Sequence, residues 1–327
     1  MTRLWARCYE FTLKMEKSTN SRGEEIVVFG WGEQGRAQSL NLRDSGLAVS
    51  VYLRKGSPRA AEAGGSNILL LTDPAAAAAR AAIAALLIPD REQPAFYKEA
   101  LEKGLPKNAA LIFAHGFAIH YSLLVPRPDL DVVLVAPLGH ASAVRGDFMN
   151  GSGVPCVIAV AQDATGRAKE RAMAYAKGIS RGGTFIDSTF AEEVESDLFA
   201  EQAVLCGGVP ELARAAFETL VDSGINPDIA YFCCLRELKA IVDLLFHHSI
   251  AGMRGMISDT ARYGAITRGP RVIGEEARRE LKRIMEEIRS GAFAREIADR
   301  ATVEAIEKKA AREDREHPIE RIHEKYY

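Results

Sequence analysis

What the chain lacks narrows its class before any motif is read. Its five cysteines (8, 156, 206, 233 and 234) are odd in number and form no C-x-x-C pair. That argues against a disulfide framework and a structural zinc site, and it points to the reducing cytoplasm. Basic and acidic side chains nearly cancel, 42 against 44, so there is no electrostatic footprint for nucleic acid or an anionic membrane. No apolar run reaches the roughly 18 to 20 residues of a membrane span. The longest, AAAAARAAIAALLIP, is broken by Arg80 and ended by Pro89. Residues 1–23 lack an apolar segment followed by a small-residue cleavage site, so they read as an N-terminal tail and not as a secretory signal. No internal repeat recurs at a fixed period. What remains is a globular chain of 327 residues, 47% hydrophobic, long enough for two cores, with a small-molecule partner as the default.

The organisation changes once along the chain. Residues 26–29 (IVVF) read as a short buried strand that runs into GWGEQG, then a helical segment stopped by Gly46, then the alternating strand AVSVYL. Further strands are expected at 68–72, 84–88, 110–114, 131–136 and 154–160, mostly separated by helix-length segments. This alternation predicts a parallel sheet covered on both faces. After about residue 185 the pattern turns helical, with helices expected at 190–206, 209–222, 229–249, 251–263 and 275–310. The expected organisation is therefore tail (1–23), α/β Rossmann domain (24–187), all-α domain (188–310) and a charged, solvated or frayed tail (311–327).

Gly30, Gly32 and Gly35 follow a strand and open a helix, the context in which G-x-G-x-x-G acquires meaning. The first glycine permits the turn, the second admits a pyrophosphate, and the third lets the helix pack closely. The pyrophosphate would sit on the positive helix N-terminus. An NAD site commonly carries an acid about 20 residues later, at the end of the second strand. Here the segment reads LRKGSPR, with Arg54, Lys55, Ser57 and Arg59 and no acid. Its charge suits the 2′-phosphate of NADP over NAD, although the same residues could form a basic loop that points at water.

In DSTFAEEVESDLFAEQ, Asp197 and Glu201 stand four residues apart, which puts both carboxylates on one helix face. Two like charges at that spacing suit a hard cation such as magnesium, or simply a solvated acidic face. Leu198, Phe199, Val204 and Leu205 mark the helix as part-buried. Farther on, Cys233 and Cys234 interrupt a long helical pattern just before Glu237. They read as small buried hydrophobes, or less simply as a nucleophile. His140, His247 and His248 read as loop or surface histidines.

Together the runs GWGEQGRAQSLNLRDSG, FAHGFAIHY, GVPCVIAVAQDATGRAKERAMAYAKGI, DLFAEQAVLCGG and ISDTARYG resemble the short-form (class I) ketol-acid reductoisomerases over residues 25 to about 300. The resemblance implies an NAD(P)-binding Rossmann domain followed by a knotted helical domain, with two chains interlocked in a homodimer or higher homo-oligomer. It also implies two magnesium ions holding a 2-hydroxy-3-keto acid during alkyl migration and ketone reduction. Carried over by position, it assigns Trp31, Gly32, Glu33, Gln34, Arg54, Ser57 and the segment Asp90 to Gln93 to the cofactor, beside Gly30 and Gly35. Asp197, Glu201 and Glu237 match metal-bearing carboxylates, Ser258 the serine that holds the substrate carboxylate, and His115 the histidine of the active-site loop.

The departures from the pattern fall in the pocket. Cys233 stands where the family has a metal-associated glutamate, and Arg236 where it has a histidine. Leu138 replaces a loop lysine, and Gly255 and Met256 replace a tyrosine and a serine. A thiol is a soft ligand poorly matched to magnesium, and Arg236 adds positive charge, so the second ion should bind weakly. The sequence therefore points to a remodelled relative acting on another 2-hydroxy-3-keto or 2,3-dihydroxy acid. One version is redox-neutral cyclopropanol formation from a sulfonium dihydroxy acid in specialised metabolism. The alternatives are an authentic ketol-acid reductoisomerase of branched-chain amino-acid synthesis, or a catalytically dead cofactor-binding dimer.

Overall fold

A computed structural model describes residues 24–327; the expected tail 1–23 lies outside the described residues. The chain divides into two compact units, the first ending at Val194 and the second spanning Glu195–Tyr327. The division falls seven residues beyond the expected boundary, within a helix.

The first unit is built on one eight-stranded sheet, in the order β3-β2-β1-β4-β5-β6-β7-β8. The strands are β1 (Ile26–Phe29), β2 (Val49–Tyr52), β3 (Leu69–Leu71), β4 (Ile83–Leu86), β5 (Ala110–Phe113), β6 (Asp131–Pro137), β7 (Cys156–Gln162) and β8 (Phe185–Asp187). The central strands IVVF, IAAL and ALIF are buried throughout, as strands covered on both faces must be. Alternate residues serve opposite cores: Val27 and Phe29 join one apolar cluster, Ile26 and Val28 the other. The principal helices of this unit are α1 (Glu33–Asp44), α2 (Ala141–Asn150) and α3 (Ala168–Ile179). The fully buried Asn41 of α1 ties them together, donating to the carbonyls of Val144 (3.0 Å) and Ile179 (2.8 Å).

The expected Rossmann architecture holds, with two refinements at one edge. Strand β7 runs antiparallel to β6, and β8, which begins where the strands were expected to stop, pairs parallel to β7. An apolar run such as CVIAV reads alike in either direction, so its polarity is not encoded in its period.

The second unit is helical. Helix α4 (Phe190–Ala200) begins in the first unit and continues as a π-helical turn, Glu201–Leu205. It is followed by α5 (Gly208–Asp222), α6 (Leu238–Met256), α7 (Asp259–Val272), α8 (Glu275–Arg289), α9 (Arg300–Glu316) and α10 (Pro318–Tyr326). The expected helix 229–249 is three pieces: Pro227–Tyr231, a second π-helical turn Phe232–Arg236, and α6, which is kinked at Ser249 (φ 62°, ψ 177°).

Residues 311–327 are not a frayed tail. Helix α10 buries Ile319 and Ile322 against Phe217 and Tyr231, and Tyr231 Oη lies 2.8 Å from His323 Nδ1. Its amphipathic pattern, apolar on one face, supplies the physical reason.

Candidate active site

In the first unit the expected cofactor residues gather at the C-terminal ends of parallel strands. There β1 and β4 are neighbours and the strand order reverses, the usual ligand crevice of open α/β sheets. Gly30 leaves β1 with φ +119°, and a Cβ there would stand 2.7 Å from the Leu87 carbonyl oxygen. A Cβ on Gly35 would lie 2.5 Å from the Gly30 oxygen. The fold itself therefore demands these two glycines. At Gly32, among the described residues beyond its chain neighbours, the one atom within 4 Å of such a Cβ is Arg59 Nη1, at 3.8 Å. This open cradle lies at the N-terminus of α1, where a dinucleotide's diphosphate fits.

The neighbouring residues serve different ends. The Trp31 side chain is core, 2% exposed, so only its backbone faces the turn. Gln34 donates to the Gly139 carbonyl (3.2 Å) and is braced by Gln38, which accepts from Tyr175 Oη (2.9 Å). Glu33, Arg54 and Lys55 are exposed, and Ser57 is half-buried. The buried Gln93 donates to the Ile88 carbonyl (3.1 Å) and to Asp90 Oδ1 (2.9 Å), bracing the segment after β4.

His115, beyond β5, has a partner that sequence reasoning did not single out. Glu193, 5% exposed, approaches His115 Nδ1 at 3.1 Å through Oε1 and accepts the Gly116 N–H at 3.2 Å through Oε2. One buried carboxylate thus fixes both the ring and the loop backbone. Gly116 makes this contact feasible, because a Cβ there would meet Phe190 Cδ1 at 2.7 Å and Val194 Cγ2 at 2.9 Å. Asp90 belongs to the same electrostatic group: burial pushes its pKa up, His115 opposes the rise, and Glu193 adds to it. The legible signal for Glu193 was spacing. It stands four residues before Asp197, as Asp197 stands four before Glu201.

In the second unit, Asp197 lies on α4 and Glu201 opens the first π-turn, its carbonyl accepting the Cys206 N–H at 2.8 Å. Glu237 follows the second π-turn directly, its N–H donating to the Phe232 carbonyl at 2.9 Å. Such turns are frequent at functional sites, and both were invisible to periodicity. The burial expectations are met only in part. Leu198 is buried, whereas Val204 and Leu205, within the π-turn, are exposed. Cys233 is exposed and Cys234 half-buried, so the reading of both as buried hydrophobes fails for Cys233. The Arg236 guanidinium lies 5.0 Å over the Tyr327 ring and forms no ion pair with Glu237 among the described residues; its charge is engaged by the aromatic face of the C-terminal residue. Ser258 caps α7, its Oγ accepting the Ala261 N–H at 3.2 Å, which leaves the hydroxyl proton available to donate. His140 caps α2, and His247 and His248 are exposed, as expected.

Residues 21–184 match the family model of the acetohydroxy acid isomeroreductase NADPH-binding domain, and residues 190–327 that of the ketol-acid reductoisomerase C-terminal domain. Among solved structures, an NADH-preferring ketol-acid reductoisomerase from an uncultured archaeon is similar at 36% identity and a TM-score of 0.89, covering 94% of this chain and 95% of that one. A semialdehyde dehydrogenase NAD-binding protein from Cupriavidus necator shares the fold at 18% identity and a TM-score of 0.61, over 82% of this chain and 99% of that one. A pyrroline-5-carboxylate reductase from Coxiella burnetii does so at 12% and 0.57, over 82% and 98%. With both family models matched over nearly the whole chain, and with the glycine cradle, the braced His115 and the paired π-turns in place, the chain belongs to the ketol-acid reductoisomerase family and is an NAD(P)-dependent oxidoreductase/isomerase.

Proposed function

We propose that this enzyme acts on a 2-hydroxy-3-keto or 2,3-dihydroxy acid other than the acetohydroxy acids of branched-chain amino-acid synthesis. The observation that carries this reading is the turn Phe232–Arg236. The carboxylate expected there is the exposed thiol of Cys233, and the neighbouring Arg236 is held against Tyr327. The proposed donors are then Asp197, Glu201 and Glu237, hard oxygen ligands suited to magnesium and one carboxylate short of the family's two-ion pattern.

A bound magnesium would supply Lewis-acid polarisation of the substrate oxygens, and a bound nicotinamide dinucleotide would supply hydride transfer. The chain's own residues bind and orient. Ser258, at the N-terminus of α7, offers a hydroxyl and a favourable dipole end to the substrate carboxylate. Glu193 holds the His115 ring in one orientation and favours a proton on Nδ1. Leu138 (48% exposed) and Met256 (57% exposed) offer apolar surface where the family pattern is polar. They suit a substrate with an alkyl or sulfonium tail, and cyclopropanol formation from a dihydroxy sulfonium acid is the specific version we favour. The basic LRKGSPR loop favours NADP over NAD.

A homodimer is part of the same proposal. Helices α6 and α7 have no buried residue in the single chain, although Phe246 is 82% and Ile250 61% exposed. A partner copy would cover them. The exposed thiols of Cys206 and Cys233 suit a reducing cytoplasm.

The deciding assay follows the nicotinamide absorbance of purified protein with magnesium, 2-acetolactate and NADPH or NADH. The expected result is cofactor binding without turnover on 2-acetolactate, and turnover on a dihydroxy acid with a different tail. Rapid NADPH oxidation with 2-acetolactate would overturn the reading in favour of an authentic ketol-acid reductoisomerase.

A further inference from the structure

The open glycine of the dinucleotide turn is overlain by a side chain from the neighbouring loop. Arg59 Nη1 donates to the Trp31 carbonyl at 2.7 Å, and the same nitrogen is the atom nearest to where a Gly32 Cβ would stand. The Arg59 N–H donates to Ser57 Oγ at 3.3 Å, which fixes the last turn of the loop. A guanidinium has five N–H donors, so the Trp31 carbonyl engages only part of it. Glu62, the first acid after the loop, is occupied by Arg36 at 2.5 Å, and Arg59 forms no salt bridge among the described residues. A cation with spare donors is thus anchored beside the backbone position that a diphosphate must approach.

We infer that Arg59 is a diphosphate clamp: its free N–H groups bind the non-bridging oxygens of the dinucleotide's diphosphate, a group that NADH and NADPH share. It does not read the 2′-phosphate, a role left to Arg54 and Ser57. This inference rests on the dinucleotide-binding reading of the glycine turn. Arg59 sits in the very loop whose charge separates NADP from NAD, yet its anchor to Trp31 directs it to the part of the cofactor that carries no such information.

The test is a titration of the full-length protein and its Arg59→Gln and Arg59→Lys variants with four probes. ADP-ribose carries the diphosphate and no 2′-phosphate, 2′-AMP the reverse, and NADH and NADPH complete the set. For Arg59→Gln, the Kd of ADP-ribose, NADH and NADPH should each rise by roughly tenfold, the scale of one charge-assisted hydrogen bond. The Kd of 2′-AMP should stay within about twofold, and Arg59→Lys should recover part of the loss because it retains the charge. Weakening of 2′-AMP and NADPH alone would make Arg59 a 2′-phosphate residue and overturn the inference. Unchanged ADP-ribose binding would overturn it too, as would a parallel loss of all four probes together with thermal stability, the mark of a mere structural latch. If the wild-type protein bound neither NADH nor NADPH, the glycine-turn reading itself would fail, an outcome distinct from these.

Discussion

The two units of this chain close their cores differently. In the first, three central strands are buried at every position and two apolar clusters fill both faces of the sheet. In the second, an apolar cluster among the described residues is small, built from Phe217, Ala230, Tyr231, Ile319 and Ile322, while α6 and α7 present Phe246, Ile250, Tyr263 and Ile266 outward. Exposed apolar area on that scale marks an interaction surface. The first unit buries both faces of its sheet within a single chain. The second holds more apolar surface than its own chain covers, and the dimer proposal supplies the missing half.

The largest expected effect tests that contrast directly. Phe246→Asp should dissociate the oligomer, because burying an unpaired charge costs several kcal/mol, while NADH binding by the first unit survives. Light scattering behind size exclusion reads the mass; an unchanged mass and melting temperature would mean that no partner covers α6. The second test probes the tightly closed unit. Gly116→Ala sets a methyl 2.7 Å from Phe190 Cδ1, and such overpacking should cost about 2 kcal/mol. Urea unfolding measures the loss, and a shift under about 0.5 kcal/mol would show that the loop yields.

Ser249 sharpens the contrast at smaller scale. Its φ of 62° with ψ of 177° lies in a region natural to glycine, so Ser249→Gly should raise stability by about 1 kcal/mol. A loss would mean that the side chain is held in the assembly. The last test is a pH slope. The Asp90 pKa is raised, by burial first and by Glu193 in addition. A raised folded pKa gives stability that is present below the unfolded pKa and is lost as pH rises through the folded one. Asp90→Asn should therefore be more stable than wild type near neutral pH and lose that advantage on acidification. Denaturation midpoints across pH measure this, and a pH-independent difference would exclude titration of Asp90 as the cause.

Most of the first unit was legible because strands buried on both faces read as apolar runs, and because Gly30, Gly32 and Gly35 stand between a strand and a helix. Strand polarity was not legible: CVIAV carries no mark that β7 reverses. In the site, Asp197 and Glu201 were visible as a spaced pair, whereas the role of Glu193 depends on β5 delivering His115 to it, a contact 78 residues apart in sequence. The π-turns at Glu201–Leu205 and Phe232–Arg236 were hidden because one extra residue per turn leaves a helical pattern nearly intact. Burial of α10 was masked by its charges, which occupy one face while Ile319 and Ile322 occupy the other.

The three glycines of the nucleotide turn also differ in what selection would see. Gly30 and Gly35 are fixed by the chain's own atoms, whereas the space at Gly32 belongs to a ligand. In a library screened only for folded protein, substitutions at Gly30 and Gly35 would vanish and alanine at Gly32 would persist. Under selection for growth or turnover all three would be purged. The difference between the two screens at this one position separates the demands of folding from the demands of work.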